Sequence, residues 1–393
     1  IKQAMDRIDT NIIRSHIAFL ADDKLKGRYP GTEGFQTAVD YVIDQFKNIG
    51  LTPSGDDNGF TQKLVIRKSL LNNTSSVAIL KDKSGNTDSL VFARDFIPVP
   101  HPLMESANAD GQLVFAGYGV DIAGGYSDYK DIDVKGKIVV LINGAPPGLI
   151  STLTAHFSNA GNKTTTAFTK GAHGVIIINP LSRGGTNLNP AIQSNTALNP
   201  GKTIAYGRGF VGNLKTVLNG TAPLLRKIFL NSGKNMEQVL ADLKNGKASS
   251  FELPYSIAVS YQTTHTDFVS HNILGLIPGS DPVLKNEYVV HSAHLDHLGI
   301  GRVVNGDSIY NGAHDNASGV ASLLEIARIY RSSGAKPKRS VLVVMVTGEE
   351  MGLIGSAYFA ANPTVPKGSI VADVNTDMPT VIAPLLSVVP LGA

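Results

Sequence analysis

Four stretches towards the end of the sequence hold side chains able to bind a metal. They are His294 in YVVHSAHLDHLG, Asp315 in NGAHDNASG, Glu349 and Glu350 in VLVVMVTGEEMGLIGS, and Asp377 in VADVNTDMP. Imidazole together with carboxylates is a donor set that suits zinc. Three of the four share a pattern in which an apolar, β-branched run leads into the donor. Val289–Val290 precede His294, Val341–Val346 precede Glu349 and Glu350, and Ile370–Val374 precede Asp377. In an open α/β sheet, ligands gather beyond the carboxyl ends of the strands, so such strands would deliver their donors to one rim. Asp315 lies in a loop just ahead of a helical pattern.

Each residue alone has a plainer explanation. His294 could be a hydrogen-bonded core histidine, and Asp315 could cap the helix that follows it. Glu349 and Glu350 could be first-turn acids favoured by the helix dipole; Asp377 could be a turn residue. Their common placement at strand ends favours a metal site over four unrelated caps and turns. Adjacent glutamates can also divide labour, one binding metal while its neighbour, aimed elsewhere by the backbone, acts as a base on water. Asp296, two residues beyond His294, could accept the other imidazole N–H and set its tautomer. His291 and His297 are expected to be structural, and His156 and His173 are too isolated to argue from.

Such donors need a sheet to hold them. From Tyr255 onward, strands alternate with helices. The stripe Val320, Leu323, Leu324, Ala327 and Tyr330 predicts a helix over Ser318–Tyr330, and a short helix is expected over Gly352–Ala361. This alternation predicts an α/β fold with a mixed, mostly parallel sheet sandwiched by helices. Residues 12–50 read as two helices. The second carries Phe35, Val39, Val42, Ile43 and Phe46 at spacings of three and four and stops at Gly50, and the stretch GRYPGTEG between the two is turn-rich.

Short strands are expected at Leu64–Ile66, Val77–Ile79 and Leu90–Phe92, with turns at Asn72–Asn73 and Ser84–Gly85. Near Ala107–Gly111 the texture changes to glycine-separated strands, QLVFAGYGV, GKIVVLING and GVIIINP. Helices are expected at Thr165–Lys170 and Met236–Leu243, and a long surface loop at Gly184–Gly201. The expected organisation is a first part of the main domain over 1–108, a β-rich α/β insert over 109–252, and the rest of the main domain, with the metal motifs, over 253–393.

Composition narrows the function classes. The chain of 393 residues is 42% hydrophobic and 17% charged, which supports a sizeable core, and its net charge is only +3. That balance gives no basis for a nucleic-acid partner, and no apolar run approaches the roughly 18 residues of a membrane span. With no cysteine, disulfides, cysteine zinc sites and thiol nucleophiles are excluded. The chain starts at Ile1 with no charged-then-apolar leader, and a mature or trimmed product is expected.

The motifs HSAHLDHLG, NGAHDNASG, TGEEMGLIGS and NTDMP, in that order, resemble those of the co-catalytic zinc exopeptidases. This is family 28 of the metallopeptidases, which includes bacterial aminopeptidases, glutamate carboxypeptidase and the transferrin receptor. The similarity extends to LADDKLKGRYPGTEG and AVDYVIDQFKNIGLTPSG near the start. The insert, with FAGYGV, DYKDIDVKGKIVVLING and KGAHGVIIINP, resembles a protease-associated domain. The resemblance implies two zinc ions: His294 and Asp377 on one, Glu350 on the other, and Asp315 bridging both. It further implies Glu349 as general base, Asp296 as the carboxylate behind His294, and a cis peptide after Asp315.

The expected activity is that of an aminopeptidase acting on peptide substrates, with export to the periplasm or the extracellular space. The alternatives are a carboxypeptidase on the same metals and a non-catalytic, receptor-like protein. Two departures qualify the pattern. His314 stands where the family commonly has a further aspartate and is expected to point away from the metals. The family's histidine for the second zinc lies well beyond NTDMP, whereas here no histidine follows His314. A C-terminally truncated chain that holds one zinc well and the other poorly is therefore expected. The final run VIAPLLSVVPLGA is expected to be an apolar element in need of a partner.

Overall fold

The computed structural model describes residues 6–179, 204–206, 214–334 and 336–379. The expected loop Gly184–Gly201 and the final run VIAPLLSVVPLGA lie outside the described residues. The chain divides into two compact units, one comprising Ile1–Ile66 with Asp267–Leu386 and the other Arg67–Thr266 with Ser387–Ala393.

The first unit carries all the motifs of interest. Helix α1 (Thr10–Leu20) is capped by Asp9, whose side chain accepts from the Asn11 and Ile12 amides. Helix α2 (Glu33–Ile49) is capped by the Thr32 hydroxyl and ends at Gly50, which takes a left-handed φ of 81° that glycine alone adopts without strain. Strand β1 (Ser250–Ile277) contributes its last five residues to this unit's sheet. Strand β2 (Tyr288–His294), helix α3 (Ser318–Ser332), strand β3 (Ser340–Val346), helix α4 (Ile354–Ala361) and strand β4 (Ile370–Asn375) follow.

Within this unit the order is β4–β2–β3–β1. Strand β2 runs parallel to both β3 and β4, and β1 runs antiparallel to β3. The sheet is mixed, mostly parallel and flanked by helices, as the alternation predicts. Strand β3 explains why its sequence, SVLVVMV, is apolar without alternation: every residue is buried. Val341, Val343 and Met345 pack with Phe35, Val42 and Phe46 of α2 and Val320, Leu323 and Leu324 of α3. Leu342, Val344 and Val346 face the other way, onto Phe359 of α4 and Val365. Burying each such side chain stabilises the fold by about 1.5–3 kcal/mol, so β3 anchors both layers.

The second unit is built on a run of parallel strands. Strands Ser106–Ala116, Ile138–Ile142, Gly174–Ile178 and Thr216–Gly220 lie side by side in parallel. Phe96–Pro98 is antiparallel on the Thr216–Gly220 side, and the early part of β1 is antiparallel on the Ser106–Ala116 side. Helix Met236–Lys244 occurs where expected, and the helix expected at Thr165–Lys170 spans Ala160–Thr169, starting earlier at the Asn159 cap. This unit reaches beyond 109–252 at both ends, because the segments flanking that range are paired strands. The change of sequence texture marks where glycine-rich turns begin, not where pairing begins.

One expected turn is absent. Asn72–Asn73 lies inside a strand, Thr61–Asp82, that runs through without reversing. The Asn72 Oδ1 accepts from the Thr74 amide and hydroxyl, and the Asn72 carbonyl accepts from the Ser75 and Ser76 hydroxyls. Local hydrogen bonds typical of a turn are thus made within an extended backbone. The strand expected at Leu90–Phe92 falls instead at Thr87–Ser89, paired with Ile79–Lys81. The Ser84–Gly85 turn forms as expected, held by the Asp82 carboxylate, which accepts from the Ser84 and Asn86 amides.

Candidate metal centre

The register of the parallel strands brings distant residues level with one another. In the β2–β3 pair His294 lies opposite Val346, so the chain leaves both strands at the same height and reaches Glu349 and Glu350 three and four residues later. In the β2–β4 pair Ser292 lies opposite Asn375. Continuing by two residues on each strand sets Asp377 level with His294, and the Thr376 amide still donates to the Ser292 carbonyl at 2.8 Å. Asp315 arrives at the same rim because α3, the crossover between β2 and β3, begins there.

Asp315 does not cap this helix. Its carboxylate accepts from no amide of the first turn, and Asp315 itself has extended backbone angles. Asn316 does the tying instead. Its Oδ1 accepts from the Gly319 amide (2.9 Å) and the Met378 amide (3.3 Å), and its Nδ2 donates to the Thr376 carbonyl (2.9 Å). One side chain therefore binds the start of α3 to the turn carrying Asp377 and leaves the Asp315 carboxylate to face His294. The Asp315–Asn316 peptide is cis, as the resemblance implies. Glu349 and Glu350 are likewise not first-turn acids, since α4 begins only at Ile354. Asp377 follows the end of β4 at the turn, and its carboxylate faces His294.

Two groups of donors result. The first is His294, Asp315 and Asp377, and the second is His297, Asp315 and Glu350. In each, the ligand atoms lie within 4.8 Å of one another. His294 Nε2 is 3.1 Å from Asp315 Oδ1 and 3.4 Å from Asp377 Oδ1. Two donors about 2.0–2.1 Å from a tetrahedral zinc stand about 3.3 Å apart, so this spacing suits such an ion. Among the described residues, His294 Nε2, His297 Nδ1 and Glu350 Oε1 are buried and have no hydrogen-bond partner of good geometry. Buried polar atoms are seldom left so; three of them aimed into two acid-lined groups fit a divalent cation.

Electrostatics point the same way. Burial by itself would depress the His294 imidazole, but Asp315, Asp296, Glu349 and Asp377 outweigh it and push it up to about 9. The His294 contact in turn holds Asp315 below the usual carboxylate range. Burial, reinforced by Glu350, Asp296 and Asp377 and opposed by His294, pushes Glu349 up to about 7. Such a basic imidazole among carboxylates attracts a cation, whether a proton or a metal.

Asp296 takes a different place from the one its spacing suggests. The strand ends at His294, and it is the Asp296 backbone carbonyl that lies 3.1 Å from His294 Nδ1, with the carboxylate at 3.8 Å. The fully buried carboxylate accepts instead from the Glu349 amide (3.1 Å) and the Glu350 amide (3.3 Å). It thereby sets the height of the acidic pair. Burial raises it to about 6.

Two further residues lie at the centre without having been picked out by sequence. His297, expected to be structural, contributes to the second donor group. Arg28, in the turn-rich GRYPGTEG, is fully buried. Its guanidinium donates to the carbonyls of Leu295 (2.9 Å), Asn311 (2.7 Å), Gly312 (3.1 Å) and Leu20, while its own carbonyl accepts from the His297 amide. Burial draws its pKa down to about 10 against the pull of Asp296, Asp315 and Glu350. Arg28 therefore joins the loop after β2 to the loop before Asp315. Arg28→Met leaves buried carbonyls and an acidic cluster uncompensated, and a loss of about 3–5 kcal/mol is expected. Urea unfolding measures it, with Arg28→Lys recovering only part, because one ammonium cannot span the same carbonyls. His291 and His314 belong to neither group.

Comparison with known proteins agrees with this geometry. Residues 272–387 match the model of Peptidase family M28. The leupeptin-inactivating enzyme 1 of Streptomyces exfoliatus is 32% identical over 127 residues, 31% of this chain and 26% of that protein. A probable glutamate carboxypeptidase of Arabidopsis thaliana is 25% identical over 386 residues, 89% of this chain and 49% of that protein. The chain thus spans half or less of the curated relatives it matches. Among solved structures, an aminopeptidase from Aneurinibacillus sp. strain AM-1 shares the fold, with a TM-score of 0.50 at 19% identity, covering 96% of this chain and 72% of that one. The match to the model of Peptidase family M28 over 272–387 takes in the segment that supplies both donor groups and the neighbouring Glu349.

Proposed function

We propose that the chain is a zinc-dependent exopeptidase that removes amino-terminal residues from peptides, using two metal ions. The observation that carries this reading is the pair of donor groups joined through Asp315, with Glu349 beside them and in neither. His294, Asp315 and Asp377 would hold one ion; Asp315 and Glu350 would hold the other. Bound there, zinc supplies an activated water at neutral pH and polarises a carbonyl. Asp315, shared by both groups, sets their spacing. Glu349 takes the proton of the attacking water and passes it to the leaving amine. Asp296 holds Glu349 and Glu350 at their height through the two amide hydrogen bonds, and its backbone carbonyl orients His294.

The likeness to a probable glutamate carboxypeptidase over 89% of the chain favours one second reading, carboxypeptidase action at the same centre. A peptide with a free amino end and a blocked carboxyl end separates the two from a peptide blocked the other way. Release of the first residue, lost on chelation and restored by zinc, is expected. Cleavage only of the peptide with a free carboxyl end would reverse the assignment, and turnover that survives full metal removal would end both readings.

The insert, with its run of parallel strands, is proposed to be a protease-associated domain. Export to the periplasm or the extracellular space is proposed on the family resemblance. Among the described residues no helix is long and apolar enough to cross a membrane.

A further inference from the structure

We propose that Asn272 is a positioning residue for Glu349, fixing the base of the loop that carries it from the β1 side of β3. This rests on the reading of Glu349 as the group that takes the proton of the attacking water.

Strand β3 ends between two neighbours. On the β2 side, the Asp296 carboxylate accepts from the Glu349 and Glu350 amides. On the β1 side stands Asn272, next to Ile273, which lies opposite Met345 near the end of β3. Asn272 is fully buried, and every arm of its carboxamide is engaged. The Oδ1 accepts from the Thr347 amide at 3.0 Å, and the Nδ2 donates to the Gly355 carbonyl and to Gln62 Oε1, both at 3.0 Å. Gln62 is held in turn, its Nε2 donating to the Asn362 carbonyl just past α4 at 2.6 Å. Ser270, two residues earlier on β1, adds a contact of 2.7 Å between its hydroxyl and that of Thr347.

Thr347 and Gly355 are the two ends of the loop that holds both glutamates. The Gly355 amide donates to the Thr347 carbonyl and the Ile354 amide to the Gly348 carbonyl, so the loop closes on itself. A Cβ added to Gly355 would overlap the Thr347 carbonyl and Asn272 Oδ1. There is no slack at this junction. Asn272 bonds to both ends at once, and without it a buried amide and a buried carbonyl lose their partner, which loosens the closure. The two glutamates differ in what that loosening does to them. Glu350 belongs to a donor group, where a bound ion would hold its far end. Glu349 belongs to neither, so its place depends on the backbone of the loop.

The test uses the full chain loaded with zinc and the variants Asn272→Ala and Asn272→Thr, whose hydroxyl can still meet one partner. Both are expected to fold by far-UV circular dichroism and to carry as much zinc as the wild type. On a free-amino-end peptide, kcat is expected to fall about 10²-fold in Asn272→Ala, the loss that a misplacement of about 1 Å brings. KM is expected to change little, and Asn272→Thr to lie between. In a Glu349→Gln chain, adding Asn272→Ala should cost almost nothing more, because residues that act as a unit are not additive. Hydrogen exchange supplies a readout that needs no turnover. In Asn272→Ala the amides of 347–355 are expected to exchange at least about tenfold faster, with those of β2 unchanged.

A folded Asn272→Ala chain with wild-type kcat overturns the assignment, and so does unchanged exchange over 347–355. An equal fall in kcat on the Glu349→Gln background overturns it as well, since Asn272 would then act through another group. Loss of zinc in Asn272→Ala overturns it in favour of a role at Glu350. If Asn272→Ala does not fold, Asn272→Thr carries the same comparisons. A wild type that releases no residue from either blocked peptide overturns the exopeptidase reading instead, and exchange still decides whether Asn272 holds the loop.

Discussion

Asp315→Ala is expected to yield a folded chain that retains less than one zinc ion per molecule and no measurable peptidase activity. Asp315 is the only residue common to both donor groups, so its loss leaves each group one donor short. The fold has little reason to suffer. The Asp315 side chain is about one-third exposed (37%), it caps no helix, and the tie between α3 and the Asp377 turn runs through Asn316. In the stripped chain the cost is confined to the lost His294 contact, about 1–3 kcal/mol. Metal analysis and urea unfolding of the stripped chain together decide the matter. Two zinc ions retained in Asp315→Ala would mean that the groups do not share a ligand, and a stability loss of several kcal/mol would make the residue structural.

Glu349→Gln separates chemistry from binding. Glutamine keeps the size and hydrogen-bonding reach of glutamate but cannot take up a proton at neutral pH. The kcat on a free-amino-end peptide is expected to fall by about 10³–10⁴, within the usual contribution of a general base, with both zinc ions still bound. Glu350→Gln is expected to behave oppositely and to shed the second ion, because Glu350 Oε1 is one of the orphaned atoms of that group. If Glu349→Gln lost metal while Glu350→Gln kept it, the two roles would be exchanged. The structural basis for the division is the turn that begins where β3 ends. The Glu349 carbonyl accepts from the Gly352 and Leu353 amides, and of the two side chains only Glu350 joins a donor group.

The parts of the centre legible in the sequence are those carried by local pattern. His294, Glu349, Glu350 and Asp377 follow apolar runs, and a strand's end can be read from the run that forms it. Parallel register then does the rest, since Val346 opposite His294 and Asn375 opposite Ser292 bring the ends to one level. Helices α2 and α3 were legible for the same reason: their apolar periodicity, and the Gly50 that ends α2, lie within or beside the segment they describe. The Asn72–Asn73 turn failed because the same local hydrogen bonds form in an extended strand. There, pairing with other segments outweighed the asparagines' preference for a turn.

What sequence could not convey is where side chains point once the chain leaves a strand. Asp296 lies two residues from His294, but the strand stops at His294, so its carboxylate meets the Glu349 and Glu350 amides instead. His297 turns inward through a loop whose path is set by Arg28, a residue hundreds of positions earlier that no periodicity singles out. The sequence by itself determined the kinds of donor, their order and the strand ends that carry them, because those depend on neighbours along the chain. Only the tertiary structure decided that Asn316 rather than Asp315 ties the helix, and that His297 faces Glu350. Those outcomes depend on contacts made across the fold by a few buried polar groups.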